Sequence, residues 1–400
     1  MPVTDIEPTP AAASPPSRPA LRFDRNEVAG AFGDIGTDLP LLVGMVLAAG
    51  LDSASVLVMF GAMQVLTGVC YRLPMPVQPL KAVAVLVITQ QATGRAITGD
   101  VLFGGGLAIG LAMLALTVTG LVDWIGRVVP KAVVRGIQFG LGLQLSTLAL
   151  RDYLHRDGTA GYWLAGISFV LALVLLGNRR FPAALFIIGL GVAYACAFKL
   201  DAAAVRDAVG FTSPTFHPPS LDAIQAGFLL LALPQIPLSI GNSLLAARQT
   251  AADLFPDRAP SLKKISLTYS AMNLVNPFLG GVPTCHGSGG LAGHYAFGAR
   301  TGGSVVVYGA MYLVLGLLLA GGFAHVIQVF PLPMLGVILL FEGLALMLLV
   351  RDMGASRPDF FLVILVGLAA AGLPYGYLIG LVAGTVLARV LPRLNGEWSR

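Results

Sequence analysis

The sequence predicts an all-α polytopic membrane protein of about fourteen transmembrane segments, built as two inverted repeats of seven. Three observations predict it. Hydrophobic residues make up 56% of the 400-residue chain and charged residues 11%, with apolar runs near membrane-spanning length recurring from Val28 to Val390. The basic residues between those runs fall mostly on one side. Polar, proline-marked segments interrupt the runs at matching places in the two halves, as in many secondary transporters.

Taken in order, residues 1–22 read as a disordered cytoplasmic tail, with prolines at Pro2, Pro8, Pro10, Pro15, Pro16 and Pro19 and no apolar stretch of signal-peptide kind. Spans are predicted at 28–50, 53–70, 76–91, 99–121, 131–150, 161–177 and 181–199, forming a first repeat over residues 23–200. An external linker at 201–220 follows. The second repeat, 221–394, holds spans at 221–247, 263–281, 284–299, 303–325, 331–350, 358–372 and 374–392, and residues 395–400 form a short cytoplasmic tail. Seven is odd, so the second half enters the membrane inverted. With the N-terminus inside, nineteen of the 25 Lys and Arg residues lie in cytoplasmic segments, five lie outside, and Lys81 alone lies within a span. That asymmetry places both termini in the cytoplasm of a multi-pass cell-membrane protein.

The same composition excludes other classes. The net charge of +5 is scattered between spans, so no nucleic-acid partner is expected. Cys70, Cys196 and Cys285 share no metal or disulfide spacing, so no metal or cofactor is expected. Gly287-x-Gly289-x-x-Ala292 has neither the preceding strand nor the following acid of a dinucleotide site. Cys285 and His286, as neighbours in a helix, would point apart, so no thiol catalysis is expected and the chain is read as a non-enzyme.

Four interrupted segments carry the candidate chemistry. Gly33–Pro40 holds Asp34, Thr37 and Asp38, and Leu73–Lys81 holds Gln78 and Lys81. Pro234–Ser243 holds Gln235 and Asn242, and Gly281–His294 holds Thr284, His286 and Ser288. A proline at a helix's first position leaves the next N–H groups free, and that positive end attracts anions. Pro283 is expected to open such a helix, making the segment after it one wall of an anion site.

These motifs (GDIGTDLP, LPMPVQPLKA, PQIPLSIGNSLLAARQTAADLF and VPTCHGSGGLAGHYAFGARTG) resemble those of the molybdate transporter family related to sulfate permeases, over nearly the whole chain from Val28. The resemblance implies the fourteen-helix inverted-repeat fold shared with sulfate permeases and nucleobase–cation symporters. In that fold spans 1–4 and 8–11 form a core and spans 5–7 and 12–14 a gate, with substrate between half-helices three and ten. It implies secondary active import of a tetrahedral oxyanion, molybdate first and sulfate second. A sulfate or other inorganic-anion permease of this fold is the alternative, and an anion channel the alternative from another class. Membrane lipid is a further partner, and relatives of this fold often dimerise, so a homodimer is also expected. The chain departs from the family pattern at Asp38, where an aromatic is commoner, at Ser288, which replaces a frequent alanine, and at Glu342.

Substrate contacts are expected from Thr37, Gln78, Lys81, Gln235, Asn242, Thr284, His286 and Ser288. Asn273 and Asn276 read as interhelical hydrogen bonders, and His294 and His325 as packing or interfacial residues. A lysine at the bilayer centre costs about 2.5–3.5 kcal/mol on the gentler insertion scales. Lys81 therefore serves the anion site and its counter-ions, snorkels, or ties spans one and three together through Asp34 or Asp38. Asp34 and Asp38 share a helix face and would repel a dianion, so they are expected to pair with Lys81 or to carry protons. Glu342, on the gate side by the resemblance, is a further proton candidate.

Coupling follows from energetics. One charge crossing 100 mV costs about 2.3 kcal/mol, so a dianion entering an inside-negative cell faces roughly twice that. Import against that barrier needs co-transported positive charge or an exchanged anion. Proteoliposomes at clamped voltage should accumulate molybdate in response to an imposed pH gradient, and an Asp34→Asn variant should exchange molybdate without responding. A wild-type protein indifferent to the gradient would leave sodium coupling or anion exchange.

Overall fold

The computed structural model describes residues 20–92, 96–176, 178, 183–201, 203, 206 and 209–394. The expected tail at 1–22 lies outside the described residues up to residue 19, as does the tail at 395–400. In the first half the elements are α1 (Arg25–Gly30), α2 (Ile35–Ala49), α3 (Ser53–Tyr71), β1 (Val77–Pro79), α4 (Lys81–Ala92), α5 (Gly99–Val118), α6 (Leu121–Val128), α7 (Lys131–Leu148), α8 (Gly158–Val174) and α9 (Ala183–Phe198). The second half runs through α10 (Leu221–Leu254), α11 (Leu262–Val275), β2 (Thr284–His286), α12 (Ser288–Ala296), α13 (Gly303–Leu318), α14 (Ala320–Val329), α15 (Leu332–Leu348), α16 (Arg357–Gly372) and α17 (Gly376–Leu394).

Among the described residues, five helices are long and apolar enough to cross a membrane, and six if the bent pair α13–α14 is one span. That pair turns through 98° after Leu319, inside a segment expected to be a single span. Gly321 and Gly322 follow the bend, and glycine pairs are a common origin of sharp kinks. α10 runs past its expected end at residue 247 to Leu254, through π-helical turns at Phe228–Ala232 and Ser239–Ala246. Helix starts are capped as their sequences dictate: Asp52, Thr98, Ser220, Ser261 and Ser356 each accept a backbone N–H in the first turn of α3, α5, α10, α11 and α16. Buried Glu27 on α1 accepts the N–H groups of Arg300, Thr301 and Ser304, fastening the start of the chain to the start of α13.

The packing is symmetric between the halves. α3 lies along α13, and its counterpart α11 lies along α5. A second group gathers around α7, which packs on α15 and α16, with α17 against α16 and α8 against α15. Between the groups, β1 and β2 form a two-stranded antiparallel ladder.

The largest departure from expectation is at Pro283. It opens a strand and not a helix, and α12 begins five residues later at Ser288. Proline pushes the residue before it out of the α region, and Leu73, Met75, Gln78 and Val282 all precede prolines. The chain is thus held extended in both interrupted segments, and two extended segments in an apolar interior satisfy their backbones by pairing.

The α3–α13 crossing depends on small residues. A β-carbon at Gly61 would stand 2.7 Å from the Gly309 carbonyl oxygen, and one at Gly68 2.7 Å from that of Gly302. Gly61→Val should therefore destabilise the protein by about 1–3 kcal/mol through overpacking, read as a lower thermal midpoint in detergent. An unchanged midpoint would show that the crossing has slack.

Candidate substrate site

In a strand, successive side chains alternate between faces, and directly opposed residues share one. The ladder pairs Val77 with His286, Gln78 with Cys285 and Pro79 with Thr284. Gln78 and Cys285 therefore face one side, and Thr284 and His286 the other. On the first face, Gln78 Nε2 donates to both oxygens of Asp34, at 2.6 and 2.8 Å. Its amide lies so close to Gly287 that any β-carbon there would collide with it.

The second face is a clamp. Asn273 accepts the Thr284 N–H at 3.0 Å and donates to the Thr284 carbonyl at 2.6 Å, while Asn276 donates to the Thr284 hydroxyl at 3.1 Å. His286 Nε2 lies 2.8 Å from the Thr268 hydroxyl, with its ring edge-on to Tyr71. Gln64 of α3 does for β1 what Asn273 of α11 does for β2. It accepts the Val77 N–H at 2.8 Å and donates to the Val77 carbonyl at 2.7 Å.

The ladder sets the starts of α4 and α12 beside each other, at Lys81 and Ser288, but the two starts differ. At α4, Gln235 Oε1 accepts the N–H groups of Ala82 and Val83 at 3.1 and 3.3 Å, and Gln235 is itself held by Ser239 at 3.1 Å. At α12, among the described residues, the N–H groups of Ser288, Gly289 and Gly290 have no hydrogen-bond acceptor. The Asp34 carboxylate lies against Gly290, where a β-carbon would collide with it. A negative group near a helix N-terminus is favourable there. The Ser288 hydroxyl makes a long 3.5 Å contact with Asn242 Oδ1, which also accepts from Gln138 of α7 at 3.0 Å.

Lys81 pairs with neither aspartate. Its ammonium is 2.8 Å from Glu342 Oε1 on α15, correcting the expected pairing with Asp34 or Asp38. Asp34 is occupied by Gln78, and Asp38, fully buried, accepts from Tyr308 at 3.1 Å. Thr37 sits beside Asp34 and Glu342. Thr37 and Glu342 also line a cavity of about 470 Å³ bounded by α2, α8, α9, α15 and the end of α12 at Ala296 and Phe297. Asp34, Thr37, Gln78, Lys81, Ser288 and Glu342 thus converge on the start of α12. Gln235 and Asn242 stand behind it, and Thr284 and His286 are turned away. His294, read as packing or interfacial, is fully buried and reaches Ser304 at 3.1 Å.

Sequence reasoning passed over Gln64, Gln138 and Tyr308, and weighed Cys285 only as a metal, disulfide or nucleophile candidate. A signal existed for three of them: Gln64, Gln138 and Tyr308 are polar positions in otherwise apolar runs. Cys285 needed the strand alternation.

A family profile described as "Molybdate transporter of MFS superfamily" matches residues 26–145 and 227–346. The chain belongs to the molybdate transporter family. Molybdate transporter 1 of Arabidopsis thaliana is 34% identical, over 91% of this chain and 88% of that protein. Molybdate transporter 2 of the same plant is 31% identical, over 87% of this chain and 83% of that protein. The transmembrane domain of the cyanobacterial bicarbonate transporter BicA superposes with a TM-score of 0.62 at 19% identity, covering 87% of this chain and 97% of that one. This chain therefore shares BicA's fold. The matched segments start 201 residues apart (227 minus 26), the interval that separates Asp34 from Gln235. Those two side chains stand at the starts of α12 and α4 respectively, each half of the chain serving the other's short helix.

Thr284→Val should leave molybdate affinity near wild type and lower stability by about 1 kcal/mol, the worth of one buried hydrogen bond. Ser288→Leu should abolish binding with the thermal midpoint nearly unchanged. Titration in detergent beside a melting curve separates the two, and the reverse pattern would return Thr284 to the site.

Proposed function

We propose that the chain is a secondary active transporter importing a tetrahedral oxyanion, molybdate ahead of sulfate, by alternating access. The observation that carries this reading is the start of α12, where three adjacent N–H groups lack acceptors within reach of the Lys81–Glu342 pair. Oxyanion recognition needs N–H groups, a hydroxyl and a cation, and Ser288–Gly290 with Lys81 offer all three. Membership of the molybdate transporter family supports molybdate as the first substrate. No carboxylate stands in the Pro234–Ser243 or Gly281–His294 segments, which counts against recognition of a nucleobase ring.

In this reading α1–α6 and α10–α14 form the core, and α7–α9 and α15–α17 the gate. Fourteen spans divide as 23–200 and 221–394 around the 201–220 linker, with α4 and α12 as half-helices. α4 has 12 residues and α12 has 9, about 18 and 14 Å at 1.5 Å per residue, against a hydrocarbon core of about 30 Å. Asn242, Gln235 and Gln78 orient the groups that touch substrate, while Thr284 and His286 hold the ladder. The cavity is bounded by ends that the charge count assigns to the cytoplasm, among them Phe32, Asn178 and Phe297. The conformation is then open to the inside. Both termini are cytoplasmic, and the protein works in lipid as a homodimer.

The test is uptake of labelled molybdate into proteoliposomes, with sulfate, tungstate and uracil as competitors. Saturable uptake displaced by tungstate and sulfate but not by uracil is expected. Displacement by uracil would make the chain a nucleobase permease, and non-saturable flux without uphill accumulation would make it a channel.

A further inference from the structure

Besides Asp34, which Gln78 holds, a second anion stands at the acceptor-free end of α12. Glu342 Oε1 lies 2.8 Å from the Lys81 ammonium and 3.9 Å from the place a β-carbon on Gly289 would occupy. Gly289 is exposed, and the N–H groups around it have no acceptor among the described residues. One carboxylate thus stands beside the cation and beside the bare helix start, the two features an oxyanion would use. Lys81 belongs to α4 and is 3% exposed, whereas Glu342 belongs to α15 and is 21% exposed.

We propose that Glu342 is a tethered competitor of the substrate: the incoming oxyanion takes Lys81 from it, and the released carboxylate takes the proton that accompanies transport. This rests on the functional reading above and names its coupling group, Glu342 in place of the Asp34 expected from the sequence. The charges decide the second step. The Lys81–Glu342 pair is neutral, so a dianion that replaces the carboxylate at Lys81 leaves a net charge of minus two beside Asp34 and Asp38. A proton on Glu342 reduces that to minus one and removes an unpaired carboxylate from an apolar wall, where such a group is costly.

Three acids surround the site, and only one is open to water. Asp34 is 2% exposed and held by Gln78, and Asp38 is fully buried and bonded to Tyr308. Glu342 lines the cavity, where it is the sole charged residue among the described residues; α2, α8, α9 and α12 contribute to the lining Phe32, Thr37, Asn178 and small or apolar residues. The charged groups facing it are therefore Lys81 from α4 and Asp34 and Asp38 from α2. A proton arriving through the cavity meets Glu342 first.

Isothermal titration of sodium molybdate into the purified protein, in buffers of different ionisation enthalpy and across pH, reads the proton directly. Wild type should take up about one proton per molybdate, with affinity falling about tenfold per pH unit on the alkaline side. Glu342→Gln, which frees Lys81 beforehand, should bind on the order of tenfold tighter, take up no proton and show a flat pH profile. Wild-type binding without proton uptake would overturn the proposal, and needs no variant to fold. So would wild-type affinity and proton uptake in Glu342→Gln. Proton uptake lost in Asp34→Asn but kept in Glu342→Gln would assign the proton to Asp34 and also overturn it. A wild-type protein that binds no molybdate at all would instead remove the functional reading on which the proposal stands.

Discussion

Everything around the site depends on one backbone interaction, the short antiparallel ladder between Val77–Pro79 and Thr284–His286. Irregular backbone at membrane depth survives only when its polar groups find partners inside the protein. Here each broken segment is the other's partner, and what the ladder leaves over is taken by two side-chain amides. Gln64 closes both backbone groups of Val77, and Asn273 closes both of Thr284. The amides sit on α3 and α11, the helices that precede the two broken segments, so each half of the chain carries its own clamp. Once the ladder is fixed, the starts of α4 and α12 have nowhere to go but beside each other.

The repeats then diverge at that meeting point. The first turn of α4 is closed by the neutral Gln235 amide and carries Lys81, while the first turn of α12 is left open among the described residues and carries Ser288, Gly289 and Gly290. Two equivalent open ends would form a symmetric site with no preferred orientation. Closing one end and charging it gives a lopsided pocket, cationic on one side and N–H-lined on the other. Asp34 is part of the same arrangement. Its carboxylate uses the positive end of α12 while Gln78 donates to both oxygens, so a negative charge is held close to the site without facing the cavity.

Much of this was legible in the sequence. Prolines at Pro76, Pro79 and Pro283 marked where the helices break, while Pro234 and Pro237 stand inside the continuous α10, and the scarcity of charge made Lys81 and the acids conspicuous. The period was not legible. Read as a helix opening at Pro283, the stretch Thr284–Ser288 offers three polar contacts to one ligand. As a strand it sends Thr284 and His286 to the clamp and Cys285 to the other face, and only Ser288 reaches the helix start. Three extended residues gain nothing unless a partner strand exists, and the partner of Cys285 lies 207 residues earlier (285 minus 78), beyond any local pattern. The partner of Lys81 was hidden for the same reason. Asp34 is near in sequence but held by Gln78 through both oxygens, and Asp38 meets Tyr308 through one, while it is Glu342 of the distant α15 that reaches the ammonium.

The short helices are each tied to the group around α7 and α15, and the two ties are unequal. From α12, Ser288 reaches Asn242 at 3.5 Å and Asn242 reaches Gln138 of α7 at 3.0 Å, a chain of neutral groups with one weak link. From α4, Lys81 reaches Glu342 of α15 directly, ion to ion. A neutral chain presents no charge for an anion to displace. An ion pair with one partner open to the cavity does, because the substrate offers the ammonium an equivalent bond while water and a proton accommodate the carboxylate left behind. In the mechanism proposed above, binding and the release of one group from the other are a single event, since the atom the substrate would reach is the atom that holds the two groups together.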